Sequence, residues 1–410
     1  MINEKTATET PVLIDVTRLI LRLLKGRRAT GVDRVGLAYL SHYRACCGVQ
    51  LHAVLSWGGR VRVMDAALSQ KIFDRLLNDA RKPDDVRFWR RQLLRIACFY
   101  KVDRSYAGAV LFNTGHKGVE SSAYVKTLQA MGVKPVYFVH DLIPLTFPEY
   151  CRPDEEDKHA ARMCNMLAGA AAVVVNSDDT KRELLAFADK QGLPCPPVQT
   201  AWLASCVEET EQLDKSLPGF SQHPYFVMLG TIEARKNHLL LLHVWRSLVE
   251  ELGVQNVPRL VIIGQRGWEC EQVIDLLDRA QKLKSVVTEL NTVADGQLSD
   301  LLAGARALLF PSFAEGFGMP LVEALELGVP VIASDIPVFR EIGQGVPDFA
   351  DPLDGIRWRN LILAYADPDS DIRRMQIDRM VSYRPWTWRD HFKQVDLFLR
   401  QHRLFPPVSE

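Results

Sequence analysis

The sequence predicts an α/β protein built from two doubly wound, parallel-sheet domains. The chain has 410 residues, more than a single hydrophobic core usually supports, so two domains are expected. Short, continuously apolar runs alternate along it with longer segments of helical period. That alternation is typical of parallel strands whose two faces are both covered by helices.

The predicted strands are apolar runs rich in β-branched residues. They are residues 12–16, 110–113, 135–139, 172–176, 225–229, 260–264, 286–290, 307–310 and 329–333. Predicted helices between them include 237–252, 268–281 and 298–305. Because doubly wound sheets bind ligands at the carboxyl ends of their strands, we expect functional residues directly after these runs.

The alternation stops between Cys206 and His223, where the sequence is polar and contains Pro and Gly. Such composition predicts an interdomain linker. We therefore expect a first domain over residues 1–206, a linker over 207–223 and a second domain over 224–385. A helix over about 386–402 is expected to pack back on the first domain, and a ligand is expected in a cleft between the two sheets.

Composition excludes some functional classes. Lys plus Arg and Asp plus Glu both number 50, so no global field attracts nucleic acid or anionic lipid. The first residues lack a secretory pattern and no apolar run reaches 18 residues. The eight cysteines form no CxxC pair, which favours reduced thiols and a cytoplasmic location.

The strongest functional pattern covers residues 311–323, PSFAEGFGMPLVE, directly after a predicted strand. Gly316 and Gly318 allow close backbone approach to a ligand, and Pro320 suits the first turn of a helix. A helix N-terminus here would bind an anion such as a diphosphate. Glu315 and Glu323 could accept hydrogen bonds from hydroxyl pairs. The alternative is a tight turn followed by a solvated glutamate.

A second pattern, GTIEARKN at residues 230–237, directly follows the predicted strand 225–229. Gly230 opens the turn, and the adjacent cations Arg235 and Lys236 precede a helix. Cations at this position are suited to phosphate oxygens, arginine as a fork and lysine as a point charge. The alternative is a solvated charge cluster at a helix start.

Polar residues also follow predicted strands elsewhere in the chain. His140 follows the strand 135–139, and its alternative is a structural hydrogen-bonded pair with Asp141. Asn176 follows the strand 172–176 and could instead serve, with Ser177, to cap the next helix. Arg266 follows the strand 260–264, in a loop that could border a nucleotide base.

The segment from about Tyr225 to Glu341 resembles family-4 glycosyltransferases, in which two glutamates are spaced as E-x7-E. The resemblance implies the GT-B fold, with two Rossmann-like domains facing a cleft, and transfer that retains anomeric configuration. It implies that Glu315 binds the sugar hydroxyls, Glu323 the ribose and Lys236 the diphosphate. One departure is Thr231, since many members have an arginine there.

The resemblance assigns the remaining site residues as well. His140 would contact the donor sugar, and a loop containing Gly31 and Arg34, near the family's G-[IV]-x-R pattern, would close over donor and acceptor. The predicted catalytic residues are Glu315, His140 and Lys236; donor-binding residues are Arg235, Glu323, Gly316, Phe317, Gly318, Met319, Leu321, Gly230 and Arg266; acceptor and loop residues are Gly31, Arg34 and Asn176.

The sequences GTIEARKN, at 230–237, and HDLIPL, at 140–145, most resemble those of bacterial mannosyltransferases of surface polysaccharide synthesis. We therefore expect transfer of mannose from GDP-mannose to a lipid-linked or oligosaccharide acceptor, with no metal and no cofactor. Two alternatives stay open: a GT-B-like epimerase or hydrolase of nucleotide sugars, and a non-catalytic protein that binds a nucleotide or glycan.

Two further patterns need interpretation. Residues 367–371, DPDSD, contain the DxD spacing of metal-dependent transferases, but turn and helix-cap chemistry explains them better because no strand precedes them. Residues 81–101 interleave seven cations with aromatic and aliphatic residues. They predict either a core-packed helix with snorkelling arginines or a helix lying on the inner membrane surface.

Overall fold

The computed structural model describes residues 11–26, 30–78, 87–92, 102–205, 223–291 and 293–405. The chain divides into two compact units. Unit 1 comprises the described residues of Met1–Leu145, Asp154–Leu203 and Thr387–Glu410, and unit 2 those of Thr146–Pro153 and Ala204–Trp386. The predicted linker, apart from His223, and most of the cationic stretch 81–101 lie outside the described residues.

Unit 1 is built on a seven-stranded sheet in the order β3-β2-β1-β4-β5-β6-β7. All neighbouring strands are parallel except β2 and β3, which form an antiparallel hairpin. The strands are β1 Val12–Asp15, β2 Leu51–Trp57, β3 Arg60–Val63, β4 Val110–Asn113, β5 Lys134–Val139, β6 Ala172–Val175 and β7 Val198–Thr200.

Helices cover the unit 1 sheet. They are α1 Thr17–Leu24, α2 Gly31–Cys47, α3 Ala66–Leu77, α4 Ser122–Met131, α5 Ile143–Thr146, α6 Glu155–Gly169, α7 Asp178–Lys190 and, after unit 2, α15 Trp388–Gln401, with 3-10 turns at Gly48–Gln50 and Pro148–Tyr150. Residues 87–92 are also helical. α5 ends at Thr146, the residue at which the chain passes into unit 2.

Unit 2 is built on a six-stranded, wholly parallel sheet in the order β10-β9-β8-β11-β12-β13. The strands are β8 Tyr225–Leu229, β9 Arg259–Ile263, β10 Val287–Leu290, β11 Leu308–Phe310, β12 Val331–Ser334 and β13 Asp348–Ala350. The helices are α8 His238–Leu252, α9 Glu271–Arg279, α10 Asp295–Ala303, α11 Met319–Glu326, α12 Pro337–Gly343, α13 Gly355–Ala366 and α14 Asp371–Met380, with 3-10 turns at Ala234–Lys236 and Val254–Asn256.

Helix α8 shows how the sequence builds the core of unit 2. Leu241, Trp245, Leu248 and Val249 recur at helical spacing, and all four are buried against the sheet. The indole N–H of Trp245 donates to the carbonyl oxygen of Pro258 at 2.8 Å, so its polar atom is satisfied. Burial of one such large side chain contributes about 1.5–3 kcal/mol.

The final helix, α15, lies in unit 1 and packs against α2. The rings of Tyr39 and Phe392 are 5.0 Å apart, and His42 stacks on Phe392 at 3.8 Å. The Tyr43 hydroxyl donates to Asp396 at 2.9 Å. These contacts join two helices that are separated by the whole of unit 2 in sequence.

The predicted strands are all present, with shifts of one or two residues at their ends. Strands β2, β3, β7 and β13 were not predicted. β3 has the sequence RVRV and is only partly buried, while β7 and β13 have three residues each, too few for a clear period. The predicted helix 268–281 is shorter, at Glu271–Arg279, and 298–305 begins earlier, at Asp295.

The DxD stretch forms a turn between α13 and α14. Asp367 accepts from the backbone N–H of Asp369 at 2.9 Å, and Ser370 caps α14 by accepting from the N–H of Arg373 at 3.1 Å. Across the described ranges, no group of three or more His, Cys, Asp or Glu residues could hold a metal ion. Within those same ranges, no helix is long and apolar enough to span a membrane.

Candidate functional site

The candidate site of unit 2 starts where strands β8 and β9 end. Gly230, at φ 144°, donates its N–H to the carbonyl oxygen of Ile263 at 2.9 Å. A Cβ on the neighbouring Gly264 would lie 1.9 Å from the Gly230 carbonyl oxygen. The two loops continue side by side, because Gly267 donates to the carbonyl of Ile232 at 2.9 Å. Glycine therefore lets the loops after β8 and β9 run in contact.

The loop after β8 then forms the 3-10 turn Ala234–Lys236 and stops at Asn237, which has left-handed backbone angles. The Asn237 side-chain amide donates to the carbonyl of Pro311 at 3.1 Å and to that of Pro352 at 2.8 Å. This one side chain thus connects the loops after β8, β11 and β13. It fixes the position of Lys236, the residue before it.

Glu315 lies at the centre of a buried group of charges. Its carboxylate accepts from Lys236 Nζ at 2.5 Å and from Ser312 Oγ at 2.7 Å, and it pairs with Arg235 Nη1 at 2.8 Å. Arg235 also donates to Glu233 at 2.6 Å. We call these five residues, Glu233, Arg235, Lys236, Ser312 and Glu315, the Glu315 cluster. Two cations and two carboxylates balance within it.

Burial and charge act in opposite directions on the ionisation of this cluster. Burial alone would raise the pKa of Glu315, but Arg235 and Lys236 lower it to about 2. Burial lowers the pKa of Lys236 and outweighs the opposing pull of Glu315. The carboxylate is therefore firmly ionised at neutral pH, while the ammonium is held at a cost in solvation.

The loop after β11 leads into helix α11, which begins at Met319 and has Pro320 in its first turn. Gly318 precedes it at φ 108°, and a Cβ there would meet the Phe339 ring at 2.7 Å. Glu323 lies in the second turn and is only 7% exposed. In the first turn Pro320 has no N–H, and the N–H of Leu321 donates to the carbonyl oxygen of Gly318 at 2.9 Å. The start of α11, close to the Glu315 cluster in sequence, provides the partial positive charge of a helix N-terminus.

The other predicted residues of this loop have different surroundings. Phe317 and Leu321 are buried in unit 2, whereas Gly316 and Met319 are partly exposed. Only the second pair has surface available for a ligand. We infer that Phe317 and Leu321 support the loop through packing, a role the sequence prediction did not distinguish from direct donor contact.

Arg266 has a different environment from the one predicted. Its guanidinium donates to both carboxylate oxygens of Glu289, each at 2.8 Å, and to both of Asp278, at 2.6 and 3.0 Å. Bidentate pairs of this kind fix the orientation of arginine. Arg266 therefore forms a bridge between the loop after β9, helix α9 and strand β10, and its place beside a nucleotide base stays a prediction.

In unit 1, His140 follows β5 and is 8% exposed. Its Nε2–H donates to the carbonyl oxygen of Thr114 at 2.7 Å, which leaves Nδ1 to accept a hydrogen bond. Burial lowers the pKa of His140 to about 4, so the ring is neutral at pH 7. Asp141 supports the turn locally by accepting from the N–H of Ile143 at 3.2 Å.

The remaining predicted residues of unit 1 lie at helix starts. Gly31 begins α2, and its Cβ position meets no atom within 4 Å. Asp33 closes a capping box with Thr30 and forms ion pairs with two arginines of α1. Arg34 is partly buried on α2. These contacts fix the start of α2 against α1.

Asn176 supports the backbone of His140, and its neighbour Ser177 caps the next helix. Its side-chain amide donates to the carbonyl of His140 at 2.8 Å, and the next residue, Ser177, caps α7 by accepting from the N–H of Thr180 at 3.1 Å. Asn176 therefore acts on the backbone of the predicted site residue His140, and capping belongs to Ser177.

Sequence reasoning missed several participants. Glu233 and Ser312 were not predicted, although each lies within three residues of a predicted partner, a spacing that permits a local hydrogen bond. Asn237 carried a usable signal, because asparagine is one of the few residues that adopts left-handed angles readily. Tyr150 and Arg152, which pack in unit 2, carried none.

Comparison with known proteins identifies the second half of the chain. Residues 209–344 match the family model described as Glycosyl transferases group 1. The serotype-specific mannosyltransferase WbdA of Escherichia coli is 30% identical over 243 residues, covering 56% of this chain and 29% of WbdA. The O-antigen chain mannosyltransferase B of Escherichia coli is 30% identical over 221 residues, covering 52% and 56%. The matches thus span about half or less of these curated relatives.

Solved structures are similar over nearly the whole chain. HepE of Anabaena in complex with UDP-glucose superposes with a TM-score of 0.62 at 14% identity, covering 96% of this chain and 100% of HepE. Sucrose-phosphate synthase of Thermosynechococcus elongatus gives 0.58 at 15% identity, covering 96% and 99%. At this identity the likeness establishes the fold, which is GT-B, with two Rossmann-like domains. The chain therefore has the GT-B fold and carries a glycosyltransferase group 1 domain in its second half, similar to that of bacterial O-antigen mannosyltransferases.

Proposed function

We propose that the protein is a retaining glycosyltransferase that moves mannose from GDP-mannose to a hydroxyl of a lipid-linked or oligosaccharide acceptor in bacterial polysaccharide synthesis. The observation that carries the proposal is the Glu315 cluster. It holds Arg235 and Lys236 at the carboxyl end of the central strand of unit 2, next to the start of helix α11. Buried cations held in this way are suited to a diphosphate.

The cluster would act mainly on the leaving group. As the bond between the anomeric carbon and the diphosphate oxygen breaks, negative charge grows on the diphosphate. Lys236, Arg235 and the positive end of the α11 dipole would stabilise that charge. Loss of one such contact typically costs about 3–4 kcal/mol, at least a hundredfold in rate.

The rest of the transfer would proceed on the same face of the sugar. The acceptor oxygen bonds to the anomeric carbon from the side that the diphosphate leaves, and its proton passes to a leaving phosphate oxygen. The product keeps the anomeric configuration of the donor. No carboxylate is needed as a covalent nucleophile, which agrees with Glu315 being engaged by two cations and a hydroxyl.

The assignment of the donor rests on the similarity to mannosyltransferases. We further propose that the enzyme needs no metal, because Arg235 and Lys236 supply positive charge where other transferases bind a divalent ion. Transfer should therefore persist in excess EDTA. Loss of activity in EDTA, restored by Mg²⁺ or Mn²⁺, would contradict this part of the proposal.

Two residues of unit 1 are proposed to take part as well. His140 is neutral at pH 7, with Nδ1 as an acceptor, so it would accept a hydrogen bond from a sugar hydroxyl. Gly31 provides open backbone at the start of α2. The expected result is that His140→Ala lowers kcat/KM at least tenfold with the thermal midpoint within a few degrees of wild type. Wild-type kcat/KM in this variant would remove His140 from the proposal.

The main experiment follows GDP-mannose with an oligosaccharide acceptor by NMR, so that donor consumption and anomeric configuration are read together. Lys236→Ala is expected to lose at least 99% of the rate, whereas Lys282→Ala, on the surface of the same unit, retains it. Lys282 pairs with the exposed Glu250, and exposed pairs contribute little to stability. Equal rates in wild type and Lys236→Ala would refute the proposed role of the cluster. Rapid hydrolysis or epimerisation of donor alone would instead favour the alternative enzyme class.

A further inference from the structure

Residues Thr146–Pro153 run from the last residue of α5 to just before α6. The chain on both sides of them belongs to unit 1, yet these residues belong to unit 2. The chain enters unit 2 at Thr146, forms the 3-10 turn Pro148–Tyr150 and returns to unit 1 at Asp154. We call Thr146–Pro153 the clasp segment. A short excursion of this kind requires contacts that hold it, and two such contacts are present.

The first contact is made by Tyr150. Its ring stacks on that of Phe313 with centroids 5.3 Å apart and an interplanar angle of 7°. Phe313 lies two residues before Glu315, and its backbone N–H donates to the carbonyl oxygen of Arg235 at 2.9 Å. The stack therefore contacts the loop that carries Glu315, at the residue whose backbone is hydrogen-bonded to Arg235.

The second contact is made by Arg152. Its guanidinium carbon lies 4.8 Å from the centroid of the Trp268 ring, within cation–π range. Trp268 follows Gly267, whose N–H donates to the carbonyl oxygen of Ile232 in the loop after β8. Arg152 thus packs on the loop after β9, as Tyr150 packs on the loop after β11.

The sheet order puts these two contacts on opposite sides of the proposed diphosphate site. β8 lies between β9 and β11, and neighbouring strands are about 4.8 Å apart, so β9 and β11 are separated by about 10 Å. Two residues along an extended chain advance at most about 7 Å, and their side chains supply the rest. Tyr150 and Arg152 therefore contact the loops that follow the two strands on either side of β8, and the loop after β8 carries Lys236.

We propose that the clasp segment is a positioning element for the donor, in which Tyr150 and Arg152 set the spacing of the loops that flank the diphosphate site. The inference rests on the proposed function, because it deepens the account of the same site. Tyr150 and Arg152 act through Phe313 and Trp268, and neither is a catalytic residue. Contacts of these two kinds each change an equilibrium by about two- to tenfold.

The test measures the affinity for GDP-mannose by calorimetry and the hydrogen exchange of peptides covering 264–270 and 311–319. Tyr150→Ala should weaken binding about five- to tenfold and speed exchange in 311–319, while Tyr150→Phe, which keeps the ring, should restore both. Arg152→Ala should weaken binding about two- to fivefold and speed exchange in 264–270. The control is Glu149→Ala, an exposed neighbour in the same segment, which should match wild type.

Steady-state kinetics distinguish positioning from a general loss of structure. The variants should raise the donor KM while kcat stays within twofold, because the groups that stabilise the transition state are unchanged. Wild-type affinity in both Tyr150→Ala and Arg152→Ala would overturn the inference alone. A wild-type protein that binds none of GDP-, UDP- and dTDP-sugars would overturn the proposed function, and the inference with it. If Tyr150→Ala fails to fold, Tyr150→Leu and Arg152→Ala carry the test.

Discussion

Replacement of Glu315 by glutamine should destabilise unit 2 more than any conservative change on its surface. Glutamine keeps the size of the side chain but removes the charge that faces Arg235 and Lys236. Arg235 would keep its ion pair with Glu233, whereas Lys236 would lose its ion pair with Glu315. Breaking a buried ion pair on one side usually costs about 3–5 kcal/mol, because the remaining charge stays buried without compensation.

The size of this loss in unfolding free energy can also be derived from the pKa of Glu315. A pKa of about 2 against an ordinary value of 4.5 corresponds to about 3 kcal/mol of stabilisation by the carboxylate. Lys236 limits the loss, since burial already lowers its pKa and it can release a proton once Glu315 is gone. We therefore expect a decrease of about 3 kcal/mol in the free energy of unfolding at pH 7, at the low end of the range.

Differential scanning calorimetry is the suitable assay, with the transition of unit 2 followed separately from that of unit 1. For a unit of this size, about 3 kcal/mol lowers the thermal midpoint by about 6–12 °C. Glu326→Gln is the matched control, because Glu326 is an exposed glutamate of the neighbouring helix α11. It should change stability by less than about 0.5 kcal/mol.

The pH dependence provides a second criterion. Because the folded pKa of Glu315 lies below its unfolded value, its contribution is complete above about pH 4.5 and is lost as pH falls toward 2. The difference between wild type and Glu315→Gln should shrink over that interval. A loss below about 1 kcal/mol at pH 7, or a difference that grows on acidification, would refute this account of the cluster.

Three further changes test other parts of the structure. Gln376→Ala leaves the backbone N–H and carbonyl of Val331 without their buried partner and should cost about 2–4 kcal/mol in chemical denaturation. Gly264→Ala places a Cβ against the backbone of the adjoining loop and should abolish both the thermal transition of unit 2 and GDP binding; a wild-type melt would contradict it. Burial would lower the pKa of His42, but its hydrogen bond to Asp396 raises it to about 9. The stabilisation from this pair is therefore present below about pH 6.5 and lost as pH rises through 9. NMR titration of Asp396→Asn should move the His42 midpoint down by at least one pH unit, and an unchanged midpoint would exclude the pairing.

Much of the fold could be predicted because it depends on local pattern. The strands of the two sheet centres are continuous apolar runs, as burial on both faces requires, and their period is unlike that of helices. The edge strand β3 and the three-residue strands β7 and β13 lacked such a pattern. Their strand geometry depends on pairing with a neighbour, which is a property of the assembled sheet.

The candidate site divides in a similar way. Glu315, Lys236 and Arg235 could be chosen because charged residues beside glycines follow predicted strands. The direct ion pairs among them could not be predicted, because Glu315 lies 79 positions from Lys236 and 80 from Arg235. The ion pairs of Arg266 with Asp278 and Glu289 could not be predicted either, because both carboxylates belong to neighbouring elements of the folded chain.

The sequence alone was sufficient to predict the fold class, the strand ends at which the candidate site lies and the resemblance of the second half of the chain to a known family. These features follow from periodicity, turn residues and charge placement within about ten residues. The ion pairs of the Glu315 cluster, and the packing of Tyr150 and Arg152 in unit 2, are seen only in the folded chain. Such contacts depend on the positions of side chains from distant segments, which local preferences along the chain do not specify.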